Sequence, residues 1–218
     1  MGSVMDWDWD SHRRMQRALQ DWYGRQAQRL HGEAEAIREG ALQEVFALRR
    51  QLELMELGAS GEMPVSPHVA NQLYEQLKTL SDRLSPSFLQ DNLPLAIATR
   101  LEAWQQLHPS ITIHSTLPAE WVPGPYERSY FLLTTLDDLL SLVLTESVTA
   151  IAIKLTDHTS TQGLEIDVHV TERWLEEKES ALQDLGCVFQ FLMSGKYDLE
   201  WDDPLYRWRG IWPTELLL

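Results

Sequence analysis

The chain has 218 residues, 44% of them hydrophobic and 23% charged, which is enough to build a substantial core as one large or two small domains. Its 18 Lys+Arg against 33 Asp+Glu give a net charge of -15, a surface that repels nucleic acid and anionic membranes, so neither is an expected partner. A single cysteine, Cys187, excludes an internal disulfide framework and suits a reducing compartment.

The first ten residues, MGSVMDWDWD, lack the pattern of a signal peptide, and no stretch approaches the roughly 18 apolar residues of a membrane span. A cytoplasmic location is therefore expected. Asp6, Asp8 and Asp10 alternate as at the start of a calcium loop, but Ser11 stands where glycine is needed and Arg17 where glutamate is needed. Residues 1–10 read as an acidic, aromatic segment whose Trp7 and Trp9 either cap a bundle or anchor a partner.

Residues 11–57 contain no proline, and Ser11 after Asp10 is suited to cap a helix. Ala41, Leu42, Val45, Leu48 and Leu52 form one apolar stripe, with Phe46 beside it. LGASGEMPVSP breaks the pattern. A second helix follows, with Leu73, Leu77, Leu80 and Leu84 in register, and ends before Pro86. Two such helices make a hairpin domain over residues 11–85, whose stripes are too long to be buried alone. The expected partner is a second copy, giving a dimeric four-helix bundle with Leu42, Val45, Phe46, Leu52, Leu73, Leu77 and Leu80 in the interface.

Residues 86–218 change texture. A helix is expected from Leu93 to about His108, then a strand in SITIHSTL, and an apolar helix in YERSYFLLTTLDDLLSLVLTES. TAIAIKLTDH and GLEIDVHVTE read as two strands around a turn. LEEKESALQDLG reads as a helix stopped by Gly186. CVFQFLM and YRWRGIWP read as the last strands. The chain as a whole is expected to be α+β: a helical hairpin followed by an α/β sandwich with helices on one sheet face.

The hairpin followed by this element order resembles the catalytic core of sensor histidine kinases, in the subgroup paired with response regulators that carry a helix-turn-helix output domain. Their first helix carries a leucine-His-Asp-Gly motif with glutamine five residues after the histidine. IREGALQEVFALRRQLEL is similar to it. Ile37 falls on the leucine, Glu39 on the aspartate, Gly40 on the glycine and Gln43 on the glutamine, while Arg38 stands at the phosphoacceptor position. LSDRLSPSFLQDNLPLAIATRLEAW resembles the junction to the nucleotide-binding domain. The likeness covers about residues 25–218 and is weak after Glu146.

The resemblance implies a nucleotide site, and the residues argue against one. A guanidinium stays protonated and has no lone pair to offer as nucleophile, so Arg38 cannot accept phosphate. It reads either as a solvated helix residue beside Glu35, Glu39 and Gln43 or as a fixed charge for a partner's acidic pocket. The asparagine that such kinases use to hold Mg²⁺ is absent from LTTLDDLLSLVL, which offers Asp137 and Asp138 instead. The expected Asp-x-Gly-x-Gly turn after GLEIDVHV is TERWLEEKES, with bulky Trp174, and no glycine occurs between Arg173 and Leu185 to form a phosphate-cradling lid. Residues 171–203 hold nine Asp+Glu and three Lys+Arg, a net charge of -6 that opposes a nucleotide. No cofactor is expected. The seven histidines show no ligand spacing, so no metal is expected either.

The expected function is non-enzymatic: a histidine-kinase-like protein acting by protein interaction in two-component signalling or transcriptional regulation. Its partners would be a second copy of itself and a response regulator or sensor kinase, with Arg38, Glu39 and Gln43 as contact residues. The alternative is an ATP-independent histidine phosphotransferase using His31, which lies two helical turns before Arg38 on nearly the same face.

Overall fold

The computed structural model describes residues 3–58, 67–86, 88–145, 147–174 and 176–214, with backbone alone at residues 3–11, 55–58 and 67. The elements in chain order are α1 (Ser3–Ala36), a π-helical turn (Ile37–Ala41), α2 (Leu42–Gly58), α3 (Pro67–Leu84), α4 (Leu93–Leu107), β1 (Thr112–Thr116), α5 (Tyr126–Val143), β2 (Val148–Asp157), β3 (Thr161–Val170), α6 (Glu176–Met193), β4 (Lys196–Asp202) and β5 (Leu205–Pro213). Contacts group them into two units, Arg25–Ser87 on one side and Met1–Gly24 with Phe88–Leu218 on the other.

In the unit Arg25–Ser87, α2 packs against α3. Ala27, Ala34, Val45 and Leu52 are its buried positions on the first helical run. They repeat every seven residues on each side of an eleven-residue step from Ala34 to Val45. Such a step shifts the heptad phase by four, and the π turn lies within it, over the stretch IREGA. The expected connection between the helices, residues 59–66, lies outside the described residues.

In the other unit, a five-stranded sheet has the order β1-β2-β3-β5-β4. Among the described residues, β1 and β2 are the only parallel pair. One face carries Ile151, Ile153, Leu155, Leu164, Ile166, Val168, Tyr206, Trp208 and Trp212, all buried under α4, α5 and α6. The opposite face alternates in charge across the strands: Lys154, Glu165, Arg209 and Asp198 lie side by side in register. Asn92 caps α4 through a 3.0 Å bond from the Leu95 amide, and Pro94 occupies its first turn, as the junction sequence suggests.

Residues up to Gly24 belong with the sheet, although the sequence reads as a hairpin domain beginning at Ser11. Gln16 donates to the Phe191 carbonyl at 2.8 Å, and Gln20 to the carbonyls of Phe191 and Leu192 at 3.0 and 3.1 Å. Two glutamines one turn apart thus satisfy carbonyls that the C-terminal turn of α6 leaves without amide partners. Tyr23 completes this contact. Its ring meets Phe131 edge-on at 5.4 Å, its hydroxyl lies 2.9 Å from Thr134, and burial pushes its pKa up to about 12.

Two expectations are corrected. The first helix begins at Ser3, not at Ser11, so residues 3–10 are helical; the Trp7 and Trp9 side chains lie outside the described residues. Helix α6 does not stop at Gly186 but runs to Met193, and CVFQFLM is its last two turns rather than a strand. Leu182, Gly186, Phe189 and Met193 are its buried stripe, at helical spacing. Gly186 is a packing glycine: a Cβ there would lie 2.2 Å from the Tyr197 ring of β4. The strand that precedes β5 is KYDLEWD, which alternates half-buried Tyr197, Leu199 and Trp201 with exposed polar residues.

Candidate functional site

The sequence motif and its surroundings come together at the base of the hairpin, inside the unit Arg25–Ser87. Arg38 does not point into solvent. Its side chain is 19% exposed, and its Nη2 lies 3.6 Å from Asp82. Nη1 donates to Glu35 and Nη2 to the backbone carbonyl of Ser85, just past the end of α3. A cation at that end is favoured by the helix dipole and supplies a donor to an orphan carbonyl. The planar fork suits this task because two nitrogens reach two acceptors at once.

Ser85 is the hub of this cluster and is fully buried. Its hydroxyl lies 3.1 Å from His31 Nδ1, its amide donates to the Ser81 carbonyl at 2.9 Å, and its carbonyl takes Arg38. Ser81, also buried, donates through Oγ to the Ala34 carbonyl at 3.1 Å. His31 and Arg38, singled out separately in the sequence, therefore converge on one serine. Neither Ser81 nor Ser85 stood out in the sequence. The only local signal was the position of Ser85 before Pro86, where a helix must already have ended.

Glu39 and Gln43 are exposed. Gln43 shares with Arg38, Leu42, Phe46 and Tyr74 an open groove of about 410 Å³. The apolar residues expected at an interface divide. Val45 and Leu52 are each 8% exposed, buried within the hairpin itself. Leu42 and Leu77 are half-buried. Phe46, Leu73 and Leu80 remain exposed at 46%, 42% and 46%. Arg49 lies over the Phe46 ring at 5.2 Å.

Arg38→Ala is expected to destabilise this unit by about 1–3 kcal/mol, because it removes a charged donor from a buried carbonyl. Arg38→Lys should recover only part of that, since one ammonium cannot serve Glu35 and Ser85 in the same fork geometry. Urea unfolding, with hydrogen exchange at the Asp82–Ser85 amides, reads both. Unchanged protection at those amides in Arg38→Ala would contradict the clamp.

The second site to consider is in the α/β unit, where the kinase resemblance implies a nucleotide. Asp137 on α5 accepts from Trp104 Nε1 at 2.9 Å and pairs with Arg100 at 3.3 Å, so it ties α4 to α5. Burial raises the pKa of Asp137, against the Trp104 bond and the Arg100 charge. Asp138 is raised by burial and by Asp137. Both Asp137 oxygens are thus engaged, Oδ1 by Trp104 and Oδ2 by Arg100.

The segment after β3, where glycines are expected by the resemblance, is packed down by aromatic rings. Trp174 is buried and stacks on Tyr206 of β5 at 4.1 Å and 9°. Trp201 flanks the same tyrosine at 4.3 Å. The Trp174 amide donates to the Tyr206 hydroxyl at 3.1 Å, which donates to Glu179 at 2.6 Å, and Glu179 takes Arg173 at 3.1 Å. Those two bonds hold the Glu179 carboxylate below its usual range. Lys178 lies 4.1 Å from the Trp174 ring and donates to the Val143 carbonyl at 3.2 Å and to Thr145 at 3.1 Å, so it caps α5. Burial pushes its pKa down to about 8. At the place where the resemblance implies a phosphate cradle, Lys178 closes the end of α5.

No family model matches the sequence, and no curated protein matches it. Among solved structures, the chain is similar to the histidine kinase domain of the blue-light activated histidine kinase from Erythrobacter litoralis EL346, at 9% identity over 86% of this chain and 93% of that one, TM-score 0.48. It is also similar to a histidine kinase from Burkholderia phymatum STM815, at 10% identity over 87% and 98% of the two chains, TM-score 0.41. A third is histidine kinase ThkA in complex with response regulator protein TrrA, at 11% identity over 93% and 67%, TM-score 0.45. With TM-scores below 0.5, these likenesses say nothing of this chain's activity or partners. Among the described residues, no helix is long and apolar enough to cross a membrane.

Proposed function

We propose that this chain is a non-catalytic, histidine-kinase-like interaction protein of two-component signalling, working as a homodimer that engages a response regulator or a sensor kinase. The observation that carries this reading is Arg38. The phosphoacceptor position suggested by the motif holds a residue that cannot be phosphorylated as a histidine is, and that residue is committed to a structural bond with Ser85. The Trp174–Tyr206 stack over the glycine-less segment supports the same reading from the nucleotide side. The partner surface is the groove beside Arg38, where Leu42, Phe46 and Tyr74 offer apolar contact and Gln43 a polar one.

The decisive experiment is a calorimetric titration of the full chain with MgATP. No binding is expected at physiological nucleotide concentration. Micromolar affinity, with the nucleotide protected in the α/β unit, would remove the non-catalytic reading. The alternative, phosphotransfer through His31, is separated by mixing the chain with a phosphorylated regulator and testing for acid-labile, base-stable phosphate. None is expected on the non-catalytic reading; labile phosphate on the chain that is lost in His31→Gln would favour the alternative.

A further inference from the structure

The open face of the sheet has a depression with Lys154 and Arg209 on its rim. Gly163 on β3 forms its floor. A Cβ there would lie 2.8 Å from Thr156 Oγ1, so any side chain at this position would fill the space. The resulting cavity has a volume of about 240 Å³. Lys154, Thr156, His158 and Thr161 line one side, and Glu165 and Arg209 the other.

The lining holds two fixed cations, Lys154 and Arg209, against one carboxylate, Glu165. Lys154 faces Glu165 in the strand register, but the Glu165 carboxylate is taken by Arg209 Nε at 2.8 Å. Among the described residues, no carboxylate lies within ion-pair distance of Lys154. With Glu165 answered by Arg209, the Lys154 ammonium is left over. The Thr156 hydroxyl is only loosely engaged: it reaches the Gly163 carbonyl at 3.4 Å, beyond the usual range for a hydroxyl donor. The turn that closes the cavity is itself fixed, with the His158 amide donating to the Thr161 carbonyl at 2.9 Å and Thr214 held to Ser160 at 3.1 Å. A rigid rim thus presents one unanswered ammonium and two hydroxyls, which can donate, around a backbone floor, while the one carboxylate in the lining, Glu165, is paired with Arg209.

We propose that this depression is a binding site for a small tetrahedral oxyanion, a phosphate group, with Lys154 as its cation and Thr156 and Thr161 as hydroxyl donors. Lysine serves such a group as a point charge, and short hydroxyls complete the contacts. The site is separate from the groove beside Arg38 and does not depend on the function proposed above. Free phosphate and a phosphate monoester share this chemistry.

The test is a titration of the full chain with inorganic phosphate, and separately with glycerol phosphate, at constant ionic strength set by chloride, following the backbone amide resonances of Thr156, Thr161 and Gly163. A saturating shift confined to these residues is expected. Saturation by inorganic phosphate alone marks the free ion as ligand, and tighter saturation by the ester marks a phosphorylated metabolite. Lys154→Gln, a surface change that should leave the melting temperature as it is, is expected to weaken binding about tenfold. Thr156→Val should weaken it by a smaller factor. Shifts that stay linear in both titrations, or a saturating shift that Lys154→Gln leaves intact, would overturn the assignment.

Discussion

Phe189→Ala is expected to destabilise the α/β unit by about 3–5 kcal/mol, the range for deleting a fully buried aromatic ring. The ring is 0% exposed and sits at the meeting point of α6, α5 and β5. It meets Trp208 edge-on at 5.2 Å, Trp212 at 5.8 Å and Phe131 at 6.2 Å. Gly210 lets it approach the sheet, since a Cβ there would lie 2.6 Å from the Phe189 ring. Val188→Ala, one residue earlier and 47% exposed, should stay within about 0.5 kcal/mol. Phe191→Ala should fall between the two, because that side chain is half-buried. The order Phe189, Phe191, Val188 belongs to a helix whose stripe is Leu182, Gly186, Phe189 and Met193. In a strand, Phe189 and Phe191 would share a face and cost alike. Equal losses at these two positions, measured by chemical denaturation, would speak for the strand.

Leu80→Glu is expected to convert a dimer into a monomer. Phe46, Leu73 and Leu80 leave an apolar strip on a hairpin whose own interior is already filled by Ala27, Ala34, Val45 and Leu52. A carboxylate in a dimer seam must be desolvated or protonated, which should raise the dissociation constant by at least about a hundredfold. Leu80 is a better probe than Leu77, because Leu77 is already half-buried and its loss would also weaken the hairpin. Light scattering across a dilution series reads the outcome. A parent chain that stays monomeric at micromolar concentration would refute the dimer, and a variant that dimerises like the parent would place the seam elsewhere.

Much of the α/β unit was legible because its signals are local. The α4 cap Asn92 with Pro94, the alternation in β2 and β3 and the apolar face of α5 each follow from a few neighbouring residues. Gly186 misled because a glycine after a helical stretch looks the same whether it ends the helix or admits a neighbour. Only the Tyr197 ring from β4 tells the two apart. The same holds for the start of α1. Ser11 and the alternating Asp-Trp residues before it suggested a boundary, yet helix α1 begins at Ser3 and its next turns are tied to the C-terminal turn of α6 through Gln16 and Gln20.

What the sequence determined by itself was chemistry that depends on residue identity alone. An arginine at position 38 has no nucleophilic lone pair, and a segment without glycine lacks the residue that most readily lets a backbone close around phosphates. A net charge of -15 opposes polyanions wherever the fold gathers no basic patch. What only the tertiary structure decided was where those groups point. Arg38 could equally have been a solvated charge on a helix face. It became a clamp because the end of α3 brings the carbonyl of Ser85, 47 residues away, within reach of its guanidinium. Trp174 could equally have been a surface anchor. It became the plug of the α/β unit because β5 places Tyr206 beneath it. Contacts between residues so far apart in the chain leave no periodic trace in the sequence, since their free energy exists only once the loop between them has closed.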